Sequence, residues 1–203
     1  TLHLIRALTR RIGGMRAGSG ATIWHLTEPG HRLITRHDAD TGTPTRRRWH
    51  EPSMNFLTHT LAITETRITI EETARHSHFT IRHIEPEPAC WRSHLGPYGQ
   101  PEWVKPDLGL ITETDGYQDH WWCEIDLATE NPARITTKAR AYHRHYQAGT
   151  EQATRGIFPR VLWITPHPAR KQQLHRILTS DTTLPAGMHS AIALEEIGEV
   201  LNN

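Results

Sequence analysis

Cysteine is almost missing from this chain. The two present, Cys90 and Cys123 in 203 residues, match no disulfide or zinc framework, so each is expected to be a reduced, small apolar residue in a cytoplasmic protein. Long apolar runs are missing too. No stretch approaches the roughly 20 apolar residues that cross a bilayer, which excludes a membrane partner from the reading. No secretory leader is visible, and a chain that opens on Thr1 is expected to have lost its start. A phosphate-cradling GxxxxGKS/T loop is also wanting. The Gly-rich segment 13–20 has no such lysine and follows no buried strand, so nucleoside triphosphate hydrolysis is not indicated. Apolar residues make up only 36%, but seven tryptophans and nearly balanced charge favour a folded, polar-surfaced protein over a disordered one. The length allows one medium domain, or one domain with a small appendage.

What is present is unevenly placed. Residues 1–50 hold nine arginines against three acidic residues, while the other 153 carry a net −5, so the formal +1 hides a basic N-terminal end able to attract phosphate. Arg10, Arg11 and Arg16 flank the Gly-rich segment, and Arg46-Arg47-Arg48 form a run that reads equally well as a solvated linker. Leu2, Leu4, Ile5 and Leu8 suggest a short helix. After the glycines, Ala21 to Leu26 favours a strand, and Pro29-Gly30 marks a turn. Helix, basic strand, Gly-rich tip and return strand is the element order of the second half of a winged helix, in which the helix enters a DNA groove and the wing touches the backbone. An ordinary hairpin capping the next domain is the bland alternative.

Three segments follow from the patterning: residues 1–36 as the partial winged helix, 37–52 as an aperiodic linker, and 53–203 as an α/β domain. In the last, Met54, Leu57, Leu61, Thr64 and Ile68 recur at helical spacing over 53–75. Strands are expected over Phe79–Ile84, Val104–Thr112 and His120–Leu127, with an Asp115-Gly116 hairpin turn between the last two. A helix over Pro132–Ala148, an apolar strand over Phe158–Thr165, a helix over His167–Thr179 and a strand over Ser190–Leu194 complete a mixed sheet packed by helices.

Alternation sets Trp121, Cys123, Ile125 and Leu127 on one apolar face and Glu124 with Asp126 on the other. The hairpin then brings Asp107 beside them. Clustered carboxylates repel one another unless a cation is bound, and hard oxygen ligands suit Mg²⁺ or Mn²⁺, so Asp107 and Glu124 are the expected metal ligands. Such an ion would polarise a phosphodiester. Lys138, beside the Ile135, Ala139, Tyr142 and Tyr146 stripe, could reach the sheet, and Glu65 occupies a similar place on the first long helix. Solvated carboxylates on an exposed strand face, with Lys138 a surface lysine, are the competing reading. A histidine-based relaxase is disfavoured, because His76-Ser77-His78 and His143-Arg144-His145 have the wrong middle residue. The remaining histidines are scattered, and His59 is expected to pack on its helix.

Asp followed at a distance by Glu-x-Lys resembles the PD-(D/E)xK nuclease superfamily, with Asp126 here in the lysine position. Arg10-Arg11-Ile12-Gly13-Gly14-Met15-Arg16-Ala17-Gly18-Ser19, Phe56-Leu57-x-His59-x-Leu61, Glu87-Pro88, Trp91-Arg92 and Lys105-Pro106-Asp107 resemble the replication-relaxation family of plasmids and integrative elements. So do Glu124-Ile125-Asp126-x-x-Thr129-Glu130, Lys138-x-x-x-Tyr142 and Gly156-Ile157-Phe158-Pro159-Arg160-Val161-Leu162-Trp163, in the same order. The resemblance implies a winged helix followed by a restriction-endonuclease-like domain, and the missing first half of the winged helix implies a fragment. It implies double-stranded DNA as partner, with room for a homodimer, and a role in mobile-element replication or transfer. The catalytic set it implies is Asp107, Glu124, Asp126, Lys138 and Glu65, in a Mg²⁺- or Mn²⁺-dependent nuclease or nickase. The alternative is a non-catalytic winged-helix initiator or regulator with a degenerate nuclease-like domain.

Overall fold

A computed structural model describes residues 3–12, 21–37 and 53–202. The chain divides into two compact units, Thr1–Thr58 and His59–Asn203. In the first, β1 (Ile5–Ile12) pairs antiparallel with β2 (Ala21–Leu26), from Ile5 opposite Leu26 to Ile12 opposite Ala21, with a register irregularity between Ala7 and Arg11. A helix, α1, follows over Glu28–His37. Of the short helix expected around Leu2–Leu8, the part from Ile5 onward is strand, and Leu2 lies outside the described residues. An apolar run this short fits either period, and pairing with β2 satisfies its backbone groups. The Pro29-Gly30 turn is instead the first turn of α1. Thr27 caps it, its Oγ1 accepting from Gly30 N at 3.3 Å, and Pro29 sits where a missing N–H costs nothing. Gly30 is required by close approach, since a Cβ there would stand 2.1 Å from the Leu4 carbonyl oxygen.

The second unit is a mixed α/β fold. Most of α2 (Met54–Ala74) belongs to it, and Ile63, Thr66 and Ile70 form its buried stripe. Then come β3 (Thr80–Pro86), a separate hairpin of β4 (Arg92–Leu95) and β5 (Pro101–Val104), β6 (Leu108–Thr114) and β7 (Tyr117–Ile125). After β7 run α3 (Pro132–Ala148), α4 (Thr150–Arg155), β8 (Arg160–Thr165), α5 (Pro168–Ser180), β9 (His189–Ala193) and, past a 3-10 turn at Leu194–Glu196, α6 (Ile197–Leu201). The sheet order is β3-β6-β7-β8-β9, antiparallel up to β7 and parallel from β7 onward. The Asp115-Gly116 turn joins β6 to β7 with φ of 51° and 83°, the positive pair such a hairpin needs.

The strand expected over Val104–Thr112 is two strands, broken at Lys105-Pro106-Asp107. Pro106 cannot donate to a ladder, and pairing resumes where Asp107 N donates to Cys123 O at 3.0 Å. The β4–β5 hairpin has only four residues per strand and no alternation to announce it.

A core lies on each face of the sheet. One joins Ile63 and Ile70 of α2 with Trp121, Cys123 and Ile125; the other joins Ile135, Ala139 and Tyr142 of α3 with Trp122, Val161 and Trp163. The central strand β7 is thus buried on both sides, and the face carrying Glu124 is roofed by α3 rather than open to water. Asn131 caps α3 by accepting from Arg134 N at 3.0 Å, Pro132 opens it, and Gly149 ends it at φ 71°. The helix's fourth buried position is His145, not Tyr146, because His145 Nδ1 meets His94 Nδ1 of β4 at 2.9 Å.

Candidate functional site

Sheet topology brings together residues far apart in sequence. Asp107 stands where the chain enters β6, and its carboxylate is anchored twice: Oδ2 accepts from Ile125 N at 2.7 Å, and Oδ1 meets His59 Nε2 of α2 at 3.0 Å. Glu124, on β7, points the other way, into α3. Lys138 and Tyr142 are four residues apart there, so both reach one side chain. The Tyr142 hydroxyl donates to Glu124 Oε1, and Lys138 Nζ lies 2.5 Å from Oε2 as an ion pair. Lys138 also lies over the Trp163 ring, 5.8 Å from its centroid.

The electrostatics follow from burial. Desolvation pushes the Glu124 carboxyl up to about 7, with Asp107 adding to the rise and Lys138 opposing it. Burial also works against the Lys138 ammonium, but the Glu124 and Asp107 carboxylates outweigh it and hold its pKa above the usual lysine value. Burial and then Glu124 drive the Tyr142 hydroxyl well above the phenol range, so it stays a donor. His59 is raised, chiefly by its hydrogen bond to Asp107.

A carboxyl whose folded pKa exceeds its ordinary 4.5 contributes stability that is complete below 4.5 and lost as pH rises through about 7. This contribution is on the order of 3 kcal/mol. His189, lowered to about 4 by burial, acts oppositely, losing stability as pH falls below its ordinary 6.5. Comparison with Glu124→Gln isolates the first effect. The melting temperature of the variant relative to wild type is expected to rise between pH 5 and pH 8, and a constant difference would show that Glu124 does not titrate in this range.

The structure joins Asp107, Glu124 and Lys138 into one cluster and adds His59 and Tyr142, which sequence reasoning assigned to packing. A signal for His59 was available, since it lies on the stripe that continues through Ile63, Thr66 and Ile70. Asp126 is engaged elsewhere. Its two oxygens accept from Arg170 Nε at 2.8 Å and Nη2 at 2.9 Å, and Oδ1 also accepts from Ala128 N at 2.7 Å. Arg170, in the first turn of α5, further donates to Glu130 O at 2.7 Å, which ties α5 to the loop after β7. Nothing in the sequence marked that pair. Glu65 is exposed on α2, off the face that carries His59, and is not brought to the cluster. Arg10 and Arg11 lie on β1; their side chains, and Arg16, Arg46, Arg47 and Arg48 altogether, lie outside the described residues.

All four oxygens of Asp107 and Glu124 face a donor or a cation, so an ion bound there would share them with Lys138, Tyr142, His59 or Ile125 N. Among the described residues, no group of three or more His, Cys, Asp or Glu side chains is arranged to hold a metal. Nor is any helix among them long and apolar enough to cross a membrane. Comparison with curated proteins finds no match. Residues 1–161 match the replication-relaxation family over most of the chain's length, and the chain belongs to that family.

Proposed function

We propose that this protein binds double-stranded DNA during replication or transfer of a mobile element, as a non-cleaving initiator or regulator. In this reading its second unit is a restriction-endonuclease-like domain whose acidic site has become degenerate. The observation that carries the proposal is the closure of that site on its own side chains: Glu124 on Lys138 and Tyr142, Asp107 on His59 and Ile125 N. Asp126 stands in the superfamily's lysine position and is committed to Arg170. Family membership supports the link to DNA replication, and the excess of arginine in residues 1–50 supplies the phosphate-attracting charge.

In this reading β1 and β2 serve as the wing of a winged helix, and Arg10, Arg11 and Arg16 contact phosphates, with Arg46, Arg47 and Arg48 reinforcing them. The triple substitution Arg10→Ala, Arg11→Ala, Arg16→Ala is expected to weaken duplex binding and to lower the salt slope by about 0.9 per lost contact. Unchanged affinity and slope in a titration against salt would remove the wing from the account.

One observation favours a second reading, metal-assisted phosphodiester cleavage: Asp107, Glu124 and Lys138 converge although 31 residues separate the first from the last. There Asp107 and Glu124 would hold Mg²⁺ or Mn²⁺, whose part is Lewis-acid polarisation. It is recognised by nicking that Asp107→Ala abolishes.

A further inference from the structure

The two helical layers that cover the sheet differ in charge. On one face α2, the 3-10 turn and α6 carry six glutamates and a single arginine. On the other, α3 and α5 carry seven lysines and arginines and no acidic residue, against the net −5 of residues 51–203. Two of the seven turn inward, Lys138 to Glu124 and Arg170 to Asp126, and the others reach solvent. Arg140 and Arg144 stand one turn apart on the side of α3 opposite its buried Ile135, Ala139 and Tyr142. Arg140 Nε donates to Asp181 Oδ2 at 2.7 Å, and Arg144 Nε to Glu102 Oε2 at 2.9 Å. Asp181 ends α5, so Arg140 lies at the seam of the two helices. On α5 itself, Arg176 gives its Nε to Gln172 O at 3.3 Å. All three guanidinium groups are thus held through Nε, and among the described residues no acceptor takes their terminal amino groups. Arg82 on β3 differs, since Glu113 occupies both its Nε and its Nη2. The holding carboxylates also lie deeper than the arginines, Asp181 at 7% exposed beneath Arg140 at 54%, and Glu102 at 23% beneath Arg144 at 50%.

We propose that the outer face of α3 and α5 is a contact surface for the backbone of duplex DNA, resting on the DNA-binding reading above, with Arg140, Arg144 and Arg176 on its phosphates. This face is separate from the acidic cluster, because Arg140 and Arg144 leave α3 on the side turned away from Lys138 and Tyr142. An arginine gripped at Nε alone keeps its terminal donors for a phosphate oxygen, so it binds without giving up its ion pair. The carboxylate beneath it also restricts the side chain beforehand, and less freedom is lost on contact. Duplex DNA carries a negative charge about every 1.7 Å of its axis, so several cations on one face act together. The acidic α2–α6 face is repelled by the same field, which decides the side that turns toward the duplex. An acidic protein surface would feel the same attraction, and membership of the replication-relaxation family favours the duplex over it.

The test titrates the full chain against a labelled duplex oligonucleotide in EDTA over a range of salt concentrations. The double variant Arg140→Gln, Arg144→Gln is expected to weaken binding by about tenfold or more and to lower the salt slope by about 1.8, the share of two phosphates. Arg176→Gln should lower it by about 0.9. Lysine at both α3 positions keeps the charge and is expected to keep the slope while losing part of the affinity, which a variant damaged in folding could not do. Arg82→Gln removes an arginine as exposed as Arg140, 54% in each case, and is expected to change neither quantity. An equal loss in Arg82→Gln would mean that net charge alone is felt, and overturns the face. Unchanged affinity and slope in the α3 double variant, with wild type binding the duplex, overturns the face and leaves the DNA-binding reading standing. No duplex binding by wild type overturns both. Sedimentation of the same proteins without DNA reads the rival occupant: self-association that the α3 variant abolishes, with duplex binding untouched, would assign the face to the acidic α2–α6 side of a second copy and overturn the proposal.

Discussion

Arg170→Ala is expected to lower stability by about 3–5 kcal/mol, because it strands a buried carboxylate. Arg170 and Asp126 are both almost fully enclosed, and the guanidinium fork meets both Asp126 oxygens, at 2.8 and 2.9 Å. Removing the cation leaves Asp126 with only Ala128 N as a donor. The loop after β7 also loses its tie to α5 through Glu130 O. Lysine is a poor substitute, since a point charge cannot reproduce the two parallel bonds. The companion double variant, Asp126→Leu with Arg170→Met, removes both charges at once and is expected to recover most of the loss. Chemical denaturation of the three variants reads the difference. A single substitution costing under about 1 kcal/mol, the range of an exposed ion pair, would mean that the pair is solvated.

Trp163→Ala is the second large effect, at about 3–5 kcal/mol, because it empties the centre of one core. Trp163 is among the largest wholly buried side chains, sits on β8 beside Glu124 of β7, and donates from Nε1 to His189 Nδ1 at 3.3 Å. Its loss opens a cavity, leaves His189 without that donor, and removes the ring beneath Lys138. Phenylalanine at this position keeps most of the volume and is expected to cost less. A destabilisation by alanine no greater than that by phenylalanine would contradict the packing described here.

How far the sequence could be read depends on which signals are local. The span of α3 was legible from end to end because Asn131, Pro132 and Gly149 mark its ends chemically, and the β6–β7 turn was legible because Asp115-Gly116 suits its backbone. Alternation correctly set Glu124 on the face opposite Trp121, Cys123 and Ile125, but could not tell that α3 covers that face, since period two is the same for a solvated and a roofed strand. Lys138 could be anticipated from its four-residue spacing to Tyr142. Arg170 could not, because its partner lies 44 residues away and nothing around Pro168 distinguishes a buried arginine from a surface one. His59 was misassigned for a related reason: a stripe position states that a side chain faces inward, not what it meets there. In the first unit, the few apolar residues at the start of β1 do not separate a helical period from a strand's, and the Thr27 cap of α1 is hidden by a Pro-Gly pair that usually marks a turn.

A protein that holds DNA without cutting it is tested most directly with supercoiled plasmid incubated with the full chain. Samples in EDTA, Mg²⁺ and Mn²⁺ are split, half run as complexes and half run after the protein is removed. The expected result is retardation of similar extent in all three conditions, with the plasmid still supercoiled once freed. Nicked or linear product that needs Mg²⁺ or Mn²⁺ and disappears in Asp107→Ala would contradict the account and establish the cleaving enzyme in its place.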